Sequence, residues 1–148
     1  MLPPKPVIKV LNFLSRFFPL MKMPGTDFFS TFDLAFGDER WAQAGRNDPL
    51  IQEAATIPPR LGMAASILTH MDKLYHSLGD IRVPFKILLG ENESRVDVSA
   101  VKHLAQVATS DDKEIEIVPG GFHQLFQDRA NVTALVCNRI ATWVLARS

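Results

Sequence analysis

The stretch VPFKILLGENESRVDVSAVKHLAQVATSDDKEIEIV, residues 83–118, decides the fold. It opens with a short apolar run that ends at Gly90, which predicts a largely buried strand. It closes with KEIEIV, whose alternation of charged and apolar residues predicts a second strand near a sheet edge. Between them, apolar residues fall on one helical face: Val101, Leu104, Ala105 and Ala108. A crossover of this length requires parallel strands, and such crossovers are almost always right-handed.

Helices are predicted on both sides of this unit. Residues 57–80 begin with two prolines that suit a first helical turn, continue with apolar residues at helical spacing, and reach a stop signal at Gly79. Residues 132–146 carry another apolar stripe. Two parallel strands alone would leave their outer edges exposed and give the helices little to cover. We therefore predict an α/β fold in which residues 57–148 are part of a larger sheet.

Residues 1–56 differ in character from the rest. They are rich in aromatic and turn residues, with loop signals in PLMKMPGTD at 19–27 and GRNDP at 45–49. Between these loops, residues 27–45 predict one or two short helices. The chain is thus expected to divide near residue 57.

The N-terminus is cationic and amphipathic. The first acidic residue is Asp27, and the cations before it are Lys5, Lys9, Arg16 and Lys22. A helix over this segment places on one stripe Val7, Val10, Leu11, Leu14, Phe17, Phe18 and Met21, with Lys9, Asn12 and Arg16 opposite. Three interpretations stay open: a transit peptide, a helix that lies on a membrane surface, or a helix that packs on the rest of the protein.

Composition sets further limits. The 148 residues suit one domain, with 47% hydrophobic and 22% charged residues, and the net charge is zero. A nucleic-acid partner is not expected, because such proteins usually carry a basic surface. The single cysteine, Cys137, excludes an internal disulfide and a multi-cysteine metal site, and no cofactor is expected. No apolar run is long enough to span a bilayer, which favours a cytoplasmic or peripheral membrane location; the oligomeric state stays open.

Two polar residues follow the predicted strands. Functional groups of open α/β sheets cluster at the carboxyl ends of the strands. Glu93 lies in the turn after the first strand, and His123 follows the Gly-Gly of PGGFH after the second. On parallel neighbours the two side chains emerge at the same edge. A carboxylate beside an imidazole is the orienting half of a nucleophile–histidine–acid triad, although Glu93 could also be a simple solvated turn residue.

These segments resemble a known family. PFKILLGENESRVD at 84–97, SDDKEIEIVPGGFHQLF at 110–126 and a closing helix with Trp143 look like the C-terminal part of an α/β-hydrolase, of the monoacylglycerol lipase and lysophospholipase branch. NDPLI, at 47–51, is similar to the segment with which that branch re-enters its core after the cap. The resemblance implies a cap or lid over residues 1–56, followed by the C-terminal part of the hydrolase core, with two parallel strands and flanking helices, over 57–148.

The resemblance also implies roles for residues. The family's catalytic histidine falls on His123 and its catalytic acid on Glu93, where the usual residue is aspartate. Asp97 is nearby and might substitute as the acid, although it lies where the family begins its next helix. The family's His-Gly pair before the turn reads Leu89-Gly90 here. The implied substrates are acyl-ester lipids such as monoacylglycerols or lysophospholipids, with possible membrane contact through the N-terminal helix.

The nucleophile of this fold is missing from the sequence. It lies in G-x-S-x-G on a strand-to-helix turn and precedes the acid and the histidine in the chain. No serine here has glycine at both flanking second positions, and Ser66, in GMAASIL, belongs to an amphipathic helix. The chain by itself is therefore expected to be inactive, as a fragment or truncated gene model. The alternatives are a degenerate, non-catalytic hydrolase that binds a lipid or a partner chain, and a free-standing α/β binding domain.

Overall fold

In the part of the chain that the structure describes, four helices precede a strand–helix–strand unit and one helix follows it. The structure is a computed structural model that describes residues 3–23 and 32–148. The helices are α1 (Lys5–Phe17), α2 (Glu39–Asn47), α3 (Pro49–Thr56), α4 (Leu61–Ser77), α5 (Val98–Val107) and α6 (Ala130–Leu145), and the strands are β1 (Phe85–Gly90) and β2 (Lys113–Val118). Short 3-10 turns occupy Asp33–Ala35, Leu78–Asp80 and Leu125–Gln127. Part of the predicted loop and helical region before residue 32 lies outside the described residues.

The β1–α5–β2 unit has the predicted parallel topology. The strands pair in parallel from Phe85 opposite Lys113 to Gly90 opposite Val118. Helix α5 makes the crossover, and the Asp97 carboxylate caps its first turn by accepting from the Ser99 amide at 2.9 Å. The carboxyl ends of both strands therefore meet at one edge of the sheet, at Gly90 and Val118.

Helix α6 covers one face of the sheet. Its buried valines, Val132 and Val136, form a core with Val118 and Leu125, against which Leu88 packs. This contact fixes the end of β2 against the helix that follows the loop containing His123.

The same face also carries an ionic cluster. The Lys86 ammonium lies 2.5 Å from a Glu114 oxygen and 2.9 Å from a Glu116 oxygen, and Arg139 of α6 reaches Glu116 at 3.2 Å. The two glutamates of KEIEIV therefore lie on the face that α6 covers, where Lys86 and Arg139 pair with them.

Burial of β1 is lower than its apolar sequence predicts. Only Leu89 and Gly90 are buried, and the other residues of the strand are half-buried. In β2, Ile117 is exposed. Among the described residues β1 pairs only with β2, so the far edge of β1 has no strand beside it. The larger sheet predicted from the sequence stays a prediction.

The start of α4 corrects one prediction. Pro58 and Pro59 precede the helix, whose first residue is Leu61. The chain is extended there because Arg60 pairs with Lys22 in an antiparallel bridge and the Pro59 carbonyl accepts from the Met23 amide at 2.9 Å. Pairing with the preceding segment thus delays the helix by one turn.

GRNDP is also not the loop that its turn residues predict. Helix α2 continues through Asn47 and α3 begins at Pro49, so only Asp48 separates them. Asp48 ends α2 and caps α3 by accepting from the Leu50 amide at 2.8 Å, and Pro49 suits a first helical position. One residue can therefore join two helices.

Helix α1 packs along α4, as one of the three interpretations expects. The contact face differs from the predicted stripe. Ile8 is the buried residue, and Asn12, predicted on the outer face, donates to the Thr69 hydroxyl of α4 at 2.8 Å. Most of the predicted stripe is exposed instead: Val7, Val10, Phe17, Phe18 and Met21. In residues 3–23 and 32–148, no helix combines the length and apolarity needed to cross a bilayer.

Candidate active site

The turn after β1 holds the Glu93 carboxylate in a fixed position. The Glu93 amide donates to the Gly90 carbonyl at 3.2 Å, which closes the turn. Its side-chain Oε1 accepts from the amides of Arg95 at 2.6 Å and Val96 at 3.0 Å. The side chain is only 4% exposed. Glu93 is thus a fixed, enclosed acid rather than a solvated turn residue.

The loop after β2 turns back over the end of β1. Gly120 has φ +67°, a left-handed conformation that favours glycine. The Gly120 amide donates to Glu91 Oε2 at 2.7 Å, and the Gly121 carbonyl accepts from the Asn92 amide at 2.8 Å. These bonds join the two turns, so the loop carries His123 directly above Glu93.

The structure brings His123 and Glu93 together. His123 Nδ1 lies 2.9 Å from Oε2 and 3.1 Å from Oε1 of the carboxylate. An ionised carboxylate only accepts, so Nδ1 carries the proton and donates. Nε2 makes no hydrogen bond to any residue that the structure describes, and the His123 side chain is 31% exposed. The ring is therefore oriented by the acid and open at its other nitrogen.

The electrostatics of the pair favour an ionised acid. Burial acts to raise the pKa of Glu93, but the hydrogen bonds from the Arg95 amide, from His123 and from the Val96 amide outweigh it, and the pKa is lowered from its ordinary value of 4.5. Glu93 is thus a carboxylate at neutral pH and can accept the hydrogen bond from His123 Nδ1.

This lowered pKa predicts pH-dependent stability. A group whose pKa is depressed on folding stabilises the protein above its unfolded pKa and loses that effect as the pH falls. Glu93→Gln is expected to lower the free energy of unfolding by about 1–3 kcal/mol at pH 7. The difference in unfolding free energy between the unchanged chain and Glu93→Gln should become smaller as the pH falls below 4.5. Urea unfolding at several pH values measures this difference, with the exposed Glu53→Gln as control. A difference that does not change with pH contradicts the prediction.

Asp97, the alternative candidate for the acid, has a structural role at the start of a helix. Asp97 is the N-cap of α5, and its Oδ1 also accepts from the Ser99 hydroxyl at 2.5 Å. The hydrogen bond from that hydroxyl, together with the Ser99 amide, lowers the pKa of Asp97. The carboxylate in contact with His123 belongs to Glu93.

Ser66 lies within α4, as its sequence context predicts. Its hydroxyl is 3.5 Å from His70 Nδ1, but that nitrogen is 2.7 Å from the Ser66 carbonyl oxygen. The ring therefore donates to the helix backbone and is not placed to take the hydroxyl proton. Within residues 3–23 and 32–148, no three histidine, cysteine or acidic side chains are grouped so that they could hold a metal ion.

Residues 34 and 35 contact both the turn after β1 and the loop after β2, and no sequence pattern predicts these contacts. The Leu34 carbonyl accepts from the Ser94 hydroxyl at 3.2 Å, and the Ala35 carbonyl accepts from the Gln124 amide at 2.8 Å. Backbone carbonyls leave no signal in a sequence. Asp128, which accepts from the Phe122 amide at 2.7 Å, has no motif either.

Comparisons with known proteins agree with this architecture. The family model of serine aminopeptidase, S33, matches residues 1–130. Human monoglyceride lipase is 28% identical over 102 residues, which cover 69% of this chain and 33% of that protein. A monoglyceride lipase homolog of monkeypox virus is 30% identical over 100 residues, 68% of this chain and 35% of its own length. The chain thus spans about a third of the length of these relatives.

Solved structures share the fold. A soluble variant of monoglyceride lipase from Saccharomyces cerevisiae superimposes with a TM-score of 0.72 at 18% identity, over 97% of this chain and 50% of that one. A monoacylglycerol lipase from Paleococcus ferrophilus gives 0.75 at 18% identity, over 99% and 54%. The fold is therefore that of an α/β-hydrolase, over part of its length. The chain belongs to the serine aminopeptidase S33 family of hydrolases.

Proposed function

We propose that this chain supplies the histidine and the acid of a serine ester hydrolase. The observation that carries the proposal is the hydrogen bond between His123 Nδ1 and Glu93, at 2.9 Å, with the other ring nitrogen open. Residues 1–56 are proposed as the cap and residues 57–148 as the C-terminal part of the core.

In the proposed mechanism, His123 Nε2 accepts the proton of a serine hydroxyl as that oxygen attacks the ester carbonyl. Nδ1–H keeps its bond to Glu93, which stabilises the imidazolium that forms. His123 then gives the proton to the leaving alcohol, and the acyl-enzyme is hydrolysed by a water activated in the same way. The sequence of 148 residues contains no G-x-S-x-G, so the serine and the oxyanion donors must come from other sequence, and the chain alone is proposed to be inactive.

The proposed substrates are acyl-ester lipids, monoacylglycerols or lysophospholipids. The support for this substrate class comes from relatives named monoglyceride lipase, and not from a residue of this chain. The proposed substrate class thus rests on the proposed hydrolase activity.

The deciding experiment reads the coding sequence upstream of Met1 after mapping the 5′ end of the transcript. The proposal expects an in-frame G-x-S-x-G, and the longer product should label with a fluorophosphonate that reacts with activated serines. The chain of 148 residues should not label. If the message begins at Met1 and no product labels, the alternative holds: a non-catalytic hydrolase relative that binds a lipid or a partner chain.

We further propose that α1 rests on a membrane surface. Phe13 and Phe17 are 60% and 63% exposed, with ring centroids 5.3 Å apart, and further apolar side chains of residues 10–20 are also exposed: Val10, Phe18 and Leu20. Lys9 and Arg16 lie on the same helix, which contains no acid. An apolar patch flanked by cations suits a surface with anionic headgroups.

Vesicle cosedimentation tests this contact. The chain should sediment with mixed phosphatidylcholine–phosphatidylserine vesicles, and the double change Phe13→Ser, Phe17→Ser should weaken binding roughly tenfold or more, because two aromatic side chains no longer enter the interface. Leu50→Ser, at an exposed leucine of α3, is the control. Equal binding by the double variant, or no binding by the unchanged chain, contradicts the proposal.

A further inference from the structure

Asp128 is a buried acid that the proposed mechanism does not use. Its side chain is 0% exposed, and it lies two residues before α6 and five residues after His123. Oδ2 accepts from the Phe122 amide at 2.7 Å, and Oδ1 accepts from the Arg129 amide at 2.7 Å. A carboxylate taken out of water is costly unless it is hydrogen-bonded. This one is bonded to the residue directly before His123.

The backbone of Gly37 closes the other side of this carboxylate. A Cβ at residue 37 would lie 2.0 Å from Asp128 Oδ1 and 2.5 Å from its Cγ. No alanine fits there unless the carboxylate or the chain around residue 37 shifts. Glycine at this position therefore allows the segment 34–37 to lie directly on Asp128.

The segment 34–37 has contacts on both site loops. The Ala35 carbonyl accepts from the Gln124 amide, directly after His123, and the Leu34 carbonyl accepts from the Ser94 hydroxyl, directly after Glu93. Together with the Phe122–Asp128 bond, these contacts hold the backbone on each side of His123. The turn before it contains two glycines, which resist movement least, so outside contacts have to fix it.

We infer that Asp128 and Gly37 are positioning residues for His123. Asp128 fixes the Phe122 amide, and Gly37 allows the segment 34–37 to close over Asp128 and hold the Gln124 amide. The consequence is that the imidazole stays at hydrogen-bond distance from Glu93. The catalytic value of this arrangement rests on the proposed function, whereas the positioning itself can be tested in the chain alone.

Two-bond ¹H–¹⁵N NMR of the full chain, labelled with ¹⁵N-histidine, reads which nitrogen of His123 carries the proton. Its signal is assigned by loss in His123→Asn. The unchanged chain should show Nδ1–H near pH 7. Glu93→Ala should abolish that signature, and the signals of this variant define an imidazole ring that no longer bonds to the acid. Gly37→Ala and Asp128→Asn should each shift the signals toward the Glu93→Ala positions while Glu93 is intact.

Matched controls separate positioning from general damage. Gly79→Ala adds a methyl group that would lie at an ordinary 3.5 Å from the Val107 carbonyl oxygen, and Asp112→Asn changes a half-buried acid paired with Arg147. Both should keep the His123 signals of the unchanged chain. Signals that stay unchanged in both Gly37→Ala and Asp128→Asn overturn the inference. A missing Nδ1–H signature in the unchanged chain instead overturns the proposed His123–Glu93 pair.

Amide exchange covers the case in which Asp128→Asn does not fold. In the unchanged chain the Phe122 amide is expected to exchange at least about 100-fold more slowly than in an unstructured peptide, because its acceptor is a buried carboxylate. Exchange at the unstructured rate overturns the inference without any substitution. Gly37→Ala should speed exchange at Phe122 and at Gln124, and Gly79→Ala should leave both rates unchanged.

Discussion

Replacing His123 by alanine is expected to lower kcat by roughly 10⁴–10⁶-fold in a polypeptide that joins this chain to a segment with the serine nucleophile. The reason is that His123 is the group proposed to take the serine proton, and its Nδ1 bond to Glu93 at 2.9 Å leaves Nε2 for that task. Without the imidazole, a serine hydroxyl is a weak nucleophile at neutral pH. Ester hydrolysis and fluorophosphonate labelling should fall together.

Two comparisons sharpen this test. His70→Ala removes an imidazole from α4 whose Nδ1 bonds the Ser66 carbonyl, and it should leave kcat within a few-fold of the unchanged enzyme. Glu93→Gln should lower kcat by roughly 10³–10⁴-fold, because the imidazolium loses its carboxylate partner. If His123→Ala keeps a tenth of the activity, the proposed general base is wrong.

The effects of His123→Ala and Glu93→Gln on kcat should not be additive. When Glu93 acts only through His123, the double variant His123→Ala, Glu93→Gln has nothing further to lose and should match His123→Ala alone. A double variant that is slower by the product of both effects would assign Glu93 a separate role, such as contact with substrate. This comparison distinguishes an orienting acid from an independent catalytic one.

The sequence predicted the β1–α5–β2 unit because local patterns and topology agree there. An apolar run, an amphipathic helix and an alternating strand leave only a parallel pair joined by a crossover. The meeting of Glu93 and His123 follows from that pairing, since both side chains lie beyond the carboxyl ends of the strands. Chain topology thus makes the contact predictable from two loop positions.

The failures arise where distant contacts override local patterns. Pro58 and Pro59 suit a helix start, but the bridge between Lys22 and Arg60 keeps the chain extended until Leu61. Helix α1 packs on α4 with Ile8 buried and Asn12 bonded to Thr69, whereas most of its predicted apolar stripe is exposed, so the pattern of one helix did not reveal its contact face. Asp128 and Gly37 come close to the His123 loop only in the folded chain, and no periodic sequence pattern predicts their support of His123.

Gly90→Ala is expected to destabilise the chain by about 3 kcal/mol, at the upper end of the range for overpacked sites. The added Cβ would lie 2.4 Å from the Gly121 carbonyl oxygen and 2.5 Å from the Phe122 carbonyl oxygen. Both are backbone atoms of the loop that carries His123, so no side-chain rotation can relieve the contact. The loop must move away from the end of β1.

This movement gives the variant a second, local effect. Because the Gly121 carbonyl also accepts from the Asn92 amide at 2.8 Å, a displaced loop loses its bond to the turn that holds Glu93. Urea unfolding measures the free-energy change, and the His123 ring signals should lose the Nδ1–H signature in the folded variant. Gly79→Ala is the matched control, since its methyl group would sit 3.5 Å from the Val107 carbonyl oxygen. Equal stability of the two variants would mean that the loop does not approach β1 this closely in solution, which contradicts the prediction.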